Sequence, residues 1–307
     1  MTRQHGIVVG YDGSDFSLRA LEWATEEAES RKLPLTVTYA WRWPYSEADG
    51  EAKLHLGKAA EHVLLHGAKC AHAHSPIVEV ITDLHEGSAA QRLVELSDNA
   101  HLLVVGAHNR GMTARFMIGS VAAFVAARAR SPVIIVREAG PAPVLPQPKP
   151  VLLGVKDTTA DAVLDFAFQE AALRNLPLRV MHAGHPRPMA WGIAMAHAPD
   201  LEDSARACRE RVQERLIPWR RKYADVRLDV ASATTAPRDA LLAASAEAAL
   251  VVVGTGRTAS RTGHLGTITG SLVRHASCPV AVVPSQEHRS SPTPPTDQAR
   301  AARDRSR

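Results

Sequence analysis

Four stretches of this 307-residue chain occur twice, in the same order and about 145 residues apart. GIVVGYDGS, from Gly6, is answered by VLLGVKDTT, from Val151; RKLPLTVTYAW, from Arg31, is answered by RNLPLRVMHAG, from Arg174. HLLVVGAHN, from His101, returns as ALVVVGTGR, from Ala249, and the run ending SPVIIV at Val136 returns as the run ending CPVAVV at Val283. Order and offset together mean a tandem duplication, which restricts the chain to two copies of one fold. The domains are placed at residues 1–139 and 150–286. A proline-rich linker at 140–149 favours an extended spacer between them, and a basic tail, 287–307, reads as disordered and solvated.

Within the first copy, short runs rich in Val, Ile and Leu alternate with amphipathic segments. Strands are expected at Gly6–Val9, Leu35–Tyr39, Ile77–Ile81, Leu102–Val105 and Val133–Val136. Between them, Leu18, Leu21, Ala24 and Ala28 recur at helical spacing over Ser17–Arg31, and Leu93 and Leu96 do so over Ala89–Ser97. Asp15 or Ser17 would cap the first of these helices and Ser88 the later one. Ser120–Ala129 is helical by composition. Continuously apolar strands separated by helices imply a parallel sheet covered on both faces, so each copy is an α/β, doubly wound domain.

The composition, 45% hydrophobic and 22% charged, suits globular domains with real cores. No apolar run approaches the roughly 20 residues a bilayer span needs, and the N-terminal apolar stretch is too short for a signal peptide. Cys70, Cys208 and Cys278 show no paired spacing, which fits a reducing compartment. A cytoplasmic location without membrane contact is expected. A net charge of +4, partly from the arginines of the tail, is weak support for nucleic-acid binding, which is not expected.

Ligands of an open, doubly wound sheet sit beyond the carboxyl ends of its strands, at the point where strand order reverses. Two loops of the first copy are placed for this: Gly10–Ser14 after the first strand, and VVGAHNRGMTARFMIGSVA, Val104–Ala122, after the fourth. The second runs from glycine-bearing loop to helix, and a helix N-terminus offers unpaired N–H groups and partial positive charge to a phosphate. Arg110 or Arg115 could reach the same anion. The bland alternative is that Gly119-Ser120 only caps a helix. The loop is no Walker A sequence, and no GxGxxG follows the first strand.

These blocks resemble the universal stress protein family in its tandem-domain form. VVGYDGS, LPLTV, LLVVG, Gly119-Ser120 and SPVIIV carry the resemblance in the first copy; LPLRV, LVVVG, Gly266-Thr267 and RHASCPVAVV carry it in the second. The resemblance implies a five-stranded parallel sheet in the order 3-2-1-4-5, a homodimer, an unidentified protein partner, and, in one branch of the family, ATP binding without robust catalysis; the acidic Asp12 and Asp15 could coordinate Mg2+ through the nucleotide. That branch has a loop of form G-x2-G-x9-G-(S/T). Here it reads Gly106-x2-Asn109-x9-Gly119-Ser120, with Asn109 in place of the middle glycine and Gly111 close by. By resemblance Asp12 would meet ribose and Ala40 adenine, while Gly106, Asn109, Gly119, Ser120 and Val121 would surround the phosphates. The second-copy counterparts are Asp157, Gly254, Gly256, Gly266 and Thr267, with one residue fewer in the first gap and Thr158-Thr159 in place of Gly-Ser.

Other clusters point elsewhere with less force. His62, His66 and Cys70 fall on one helical face and could ligate zinc; a solvated face is the plainer reading, and no metal site is assigned. Tyr39, Trp41, Trp43 and Tyr45 could stack a base, or cover a sheet edge or partner surface. No HExxH, GxSxG or placeable carboxylate pair points to catalysis. The sequence therefore leads to a non-enzymatic, adenine-nucleotide-binding module acting chiefly through its first copy. The alternative is a degenerate interaction protein, dimeric through its last strands.

Overall fold

The computed structural model describes residues 6–44, 50–107, 119–137, 148–156, 158–182, 198–232, 235–256 and 263–285. Asn109, Arg110, Gly111, Arg115, Tyr45 and Asp157, together with most of the linker and the tail, lie outside them.

The first half runs β1 (Ile7–Gly10), α1 (Asp15–Arg31), β2 (Leu35–Trp41), α2 (Gly50–His74), β3 (Val80–Glu86), α3 (Ala89–Leu96), β4 (Leu102–Gly106), α4 (Ser120–Arg128) and β5 (Val133–Val136). The second runs β6 (Val151–Val155), α5 (Asp161–Leu173), β7 (Leu178–His182), α6 (Ala198–Lys222), β8 (Leu228–Ser232), α7 (Pro237–Ser245), β9 (Leu250–Gly254), α8 (Thr267–His275) and β10 (Val280–Val283). Each half has strand order 3-2-1-4-5 in parallel pairing, as the duplicated pattern predicts.

The two sheets are one. β5 and β10 pair antiparallel, with Ile134 opposite Ala281, and join the halves into a ten-stranded sheet. This corrects the expectation of a dimer through the last strands, because those edges satisfy each other's backbone groups inside one chain. Side chains alternate across the sheet. Ile7, Val9, Leu102 and Val104 pack into the layer under α1, α2, α5 and α6. Val8, Leu103, Val105, Leu152 and Val253 pack into the opposite layer, under α3, α4, α7 and α8. Both layers run through both halves.

A buried ring of charge also ties the halves. Arg31 bonds Glu27 of its own helix at 2.9 Å and Glu170 of α5, while Arg174 bonds Glu170 at 3.1 Å and reaches back to Glu27. Both carboxylates are almost wholly buried. His101 touches Arg31 at 3.2 Å, and the Arg174 guanidinium stacks on Trp23. Burial, with the Glu27 charge, pushes Glu170 up to about 7 against the pull of Arg31 and Arg174. Such a ring adds little net stability compared with apolar packing, but it is strict about register.

Two local expectations are corrected. The third strand begins at Val80, not Ile77: Ser75–Val78 turns after Pro76, and Ile77 is 79% exposed. As an outer edge strand, β3 alternates half-buried and exposed residues, so it carries no continuous apolar run. The cap of α1 is Ser14, whose hydroxyl accepts from the Ser17 N–H at 3.2 Å. Gly13, at φ +81°, turns the chain just ahead of it. Ser88 caps α3 as expected. Among the described residues no helix is long and apolar enough to cross a membrane.

Candidate functional site

Why the cleft lies where it does follows from strand order. β1 lies between β2 and β4: the chain leaves β1 through α1 to β2 on one side and comes back from β3 through α3 to β4 on the other. So α1 and α3 lie on opposite faces of the sheet, and the loops beyond β1 and β4 part to leave a gap. The cleft there has a volume of about 500 Å3. Asp12, Ala40, Gly106, Gly119, Ser120 and Val121, six of the seven residues singled out in the first copy, line it together.

Each wall has a local cause. At β4, a Cβ on Gly106 would stand 2.6 Å from the Phe16 carbonyl oxygen and 3.1 Å from the Ser17 nitrogen. Only glycine lets the start of α1 lie this close to the strand. At β1, Asp12 Oδ1 accepts from the Ser14 N–H at 3.0 Å and from its hydroxyl at 2.6 Å, which holds an exposed carboxylate at the rim. Opposite, α4 starts with Gly119 as N-cap and no side-chain cap. Ala123 makes the first intrahelical bond, to the Gly119 carbonyl at 3.1 Å, so the N–H groups of Ser120, Val121 and Ala122 have no partner within the helix. These donors and the helix dipole face the cleft.

Several further lining residues were not among those named for the site. Tyr11, Phe16, Thr38, Ala89 and Leu93 complete the walls. Thr38 is the legible one, a hydroxyl within an apolar strand. It donates to Asp83 Oδ2 at 2.6 Å, and Arg92 donates to both Asp83 oxygens at 3.0 and 2.6 Å. Burial favours the neutral form of Asp83, but these hydrogen bonds and the Arg92 charge hold it below the usual carboxylate range. The result is a braced floor between β2, β3 and α3.

Tyr11 turns away from the rim and under α2. Its ring occupies the space where a Cβ on Gly67 would come within 2.6 Å, and its hydroxyl meets His66 Nδ1 at 2.8 Å. Cys70 Sγ lies 3.8 Å from His66 Nε2. Thus His66 serves Tyr11. Among the described residues no group of three His, Cys, Asp or Glu side chains could hold a metal. Trp41 packs over Gly57 of α2. Chemically, the described lining of the cleft offers one carboxylate, Asp12, several hydroxyls and backbone donors, and no His, Lys, Arg or Cys.

The second half repeats the frame with different fittings. Gly256 adopts φ +80° just beyond β9, and Gly266 caps α8 with Thr267 following, again without a side-chain cap. Where Ala122 lines the first cleft, Thr269 donates to the Gly254 carbonyl at 2.9 Å. Thr159 Oγ1 accepts from the Lys156 N–H at 2.9 Å, in place of the Asp12–Ser14 turn.

Comparison with known proteins agrees with this architecture. The profile described as "Universal stress protein family" matches residues 5–137 and again 148–284. A universal stress protein of Mycobacterium tuberculosis is 31% identical over 293 residues, spanning 91% of this chain and 97% of its own length. One of Mycolicibacterium smegmatis is 30% identical over 298 residues, spanning 91% and 97%. Among solved structures, a universal stress protein from Archaeoglobus fulgidus, 18% identical, superposes with a TM-score of 0.66 over 92% of this chain and 99% of that one.

Proposed function

This chain belongs to the universal stress protein family, and from that premise we propose that its first half binds an adenine nucleotide, ATP with or without Mg2+, as a non-catalytic regulatory module of a stress response. One observation carries the reading: the residues named from the glycine loop and from the first strand meet around one cleft of about 500 Å3. That volume falls in the usual range for small-molecule sites. We assign the phosphates to the first turn of α4, where Gly119 leaves the backbone approachable and Ser120, Val121 and Ala122 supply N–H donors. Asp12 takes ribose hydroxyls, Ala40 lies against adenine, and Gly106 and Asn109 complete the loop. With one carboxylate and no base beside it in the described lining, the site suits holding a nucleotide more than hydrolysing it.

The second half, through Asp157, Gly254, Gly256, Gly266 and Thr267, is proposed as the weaker site, because Thr269 ties the helix to the end of β9. A homodimer of the whole chain would use surfaces other than β5 and β10.

Thermal unfolding tests the reading. At a hundred times its dissociation constant, Mg-ATP stabilises the native state by about 2.7 kcal/mol, and Asp12→Ala removes most of the shift. No shift with ATP, ADP, AMP or cyclic AMP refutes it.

A further inference from the structure

The first half fills one corner with a tyrosine that the second half does not have. In the first half the Tyr11 ring plugs the space between β1 and α2, pressed against Gly67 and bonded to His66. Strand pairing makes Val155 the counterpart of Tyr11: Ile7 and Val151 start equivalent registers, and each residue stands four positions on. Arg215 stands where Gly67 does, each 13 residues before the strand that follows, Val80 or Leu228. The ring is gone and the glycine has become an arginine.

The exchange leaves a cavity of about 370 Å3 between β6, α5 and α6. Its walls are Val155, Leu164, Val212 and Leu216, all buried side chains. Its rim is cationic: Lys156, Arg211 and Arg215. Arg215 is held in place, donating to the Thr159 carbonyl and, at 3.2 Å, to Asp161. Lys156 and Arg211 are exposed and form no ion pair among the described residues. The cavity lies under α5 and α6, on the opposite face of the sheet from α7 and α8, so it is separate from the glycine loop of its own half.

We propose that this cavity is a second ligand site, for an organic anion with a compact apolar body: a carboxylate or phosphate head at Lys156 and Arg211, and a short hydrocarbon or aryl group against Val155, Leu164, Val212 and Leu216. Apolar walls without a charge would take neutral hydrocarbon, and a cationic rim without a cavity would take any anion. Together they select a molecule with both parts. The site does not depend on nucleotide binding in the first half.

Isothermal titration calorimetry of the full chain with octanoate and octyl phosphate is the direct test. Saturable binding is expected for one or both, with acetate and 1-octanol each weaker by about tenfold or more. Val155→Tyr, which sets a ring into the cavity beside Arg215, should abolish it. Lys156→Gln with Arg211→Gln, both at exposed positions, should weaken it by about tenfold or more while the melting temperature holds, and this pair decides the matter if Val155→Tyr does not fold. Mg-ATP binding by the first half should be unchanged in all of these variants. Absence of saturable binding at millimolar concentrations, equal binding of 1-octanol, or undiminished binding by a folded Val155→Tyr or by the double variant overturns the proposal.

Discussion

Glu170→Gln puts the join between the halves to a sharp test. Burial, ahead of the Glu27 charge, lifts the Glu170 carboxyl to about 7, from an ordinary value of 4.5. Arg31, Arg174 and the Glu27 carboxylate face it, with His101 beyond Arg31. A raised carboxyl keeps its proton in the fold at pH values where the unfolded chain has lost it. Between about pH 4.5 and 7 the native state then binds more protons than the unfolded state, and stability falls as pH rises. At 1.36 kcal/mol per pH unit, this carboxyl costs the wild type about 2 kcal/mol on going from about pH 5.5 to about pH 8. Glutamine has the shape of the protonated acid and does not titrate. The stability difference between Glu170→Gln and wild type should therefore move in favour of glutamine by about that amount over the same range. Urea unfolding of both proteins at several pH values measures it, and titrations common to both cancel. The opposite trend, with glutamine losing ground as pH rises, would refute the reasoning. It would mean that the two guanidinium groups outweigh burial and hold Glu170 ionised.

Three further outcomes are expected. Gly106→Ala sets a methyl 2.6 Å from the Phe16 carbonyl oxygen, so it should destabilise the chain by about 1–3 kcal/mol and weaken nucleotide binding. Gly50→Ala, where no atom lies within 4 Å of the new Cβ, is the control that should do neither. Ile135→Pro removes a donor from the β5–β10 seam, because alternate residues of β5 face β4 and Ile135 faces Val280 of β10. It should cost about 3 kcal/mol or more, with limited proteolysis then cutting between the halves; an uncut chain of wild-type stability would contradict the seam. Asp83→Asn should cost stability near neutral pH, by about 1–3 kcal/mol, because a depressed carboxyl stabilises the fold above its unfolded pKa. The cost should fade as pH drops through the acid range, and a cost independent of pH would refute the role given to Arg92.

Much of this protein could be read from local pattern. Runs such as Leu102–Val105 and Val133–Val136 are buried on both faces of the sheet, so they announce themselves without neighbours. Amphipathic spacing marked the helices, Ser88 was legible as a cap while Ser14 was not, and duplication doubled the strand signals. Asp12 was legible as a carboxylate at the mouth of a strand and Gly119 as a residue that leaves a helix start open to a ligand. Gly106 was named through the resemblance, and its close approach to Phe16 came only with the fold. β3 was misplaced because an edge strand, open on one side, has no continuous apolar run. Glu27-x3-Arg31 and Glu170-x3-Arg174 were present in the repeat, yet their spacing also fits ordinary solvated helix pairs. Nothing within either segment says that the partner of each lies in the other half.

By itself, then, the sequence determined what depends on neighbours along the chain: the alternation of strand and helix, the two copies, and the glycines and carboxylate of one loop pair. Tertiary structure alone decided the single ten-stranded sheet, the buried ring between α1 and α5, and the contrast between Tyr11 filling one corner and Val155 leaving the other open. Such features depend on packing between residues far apart in sequence, where one side chain's volume or charge is answered by another element.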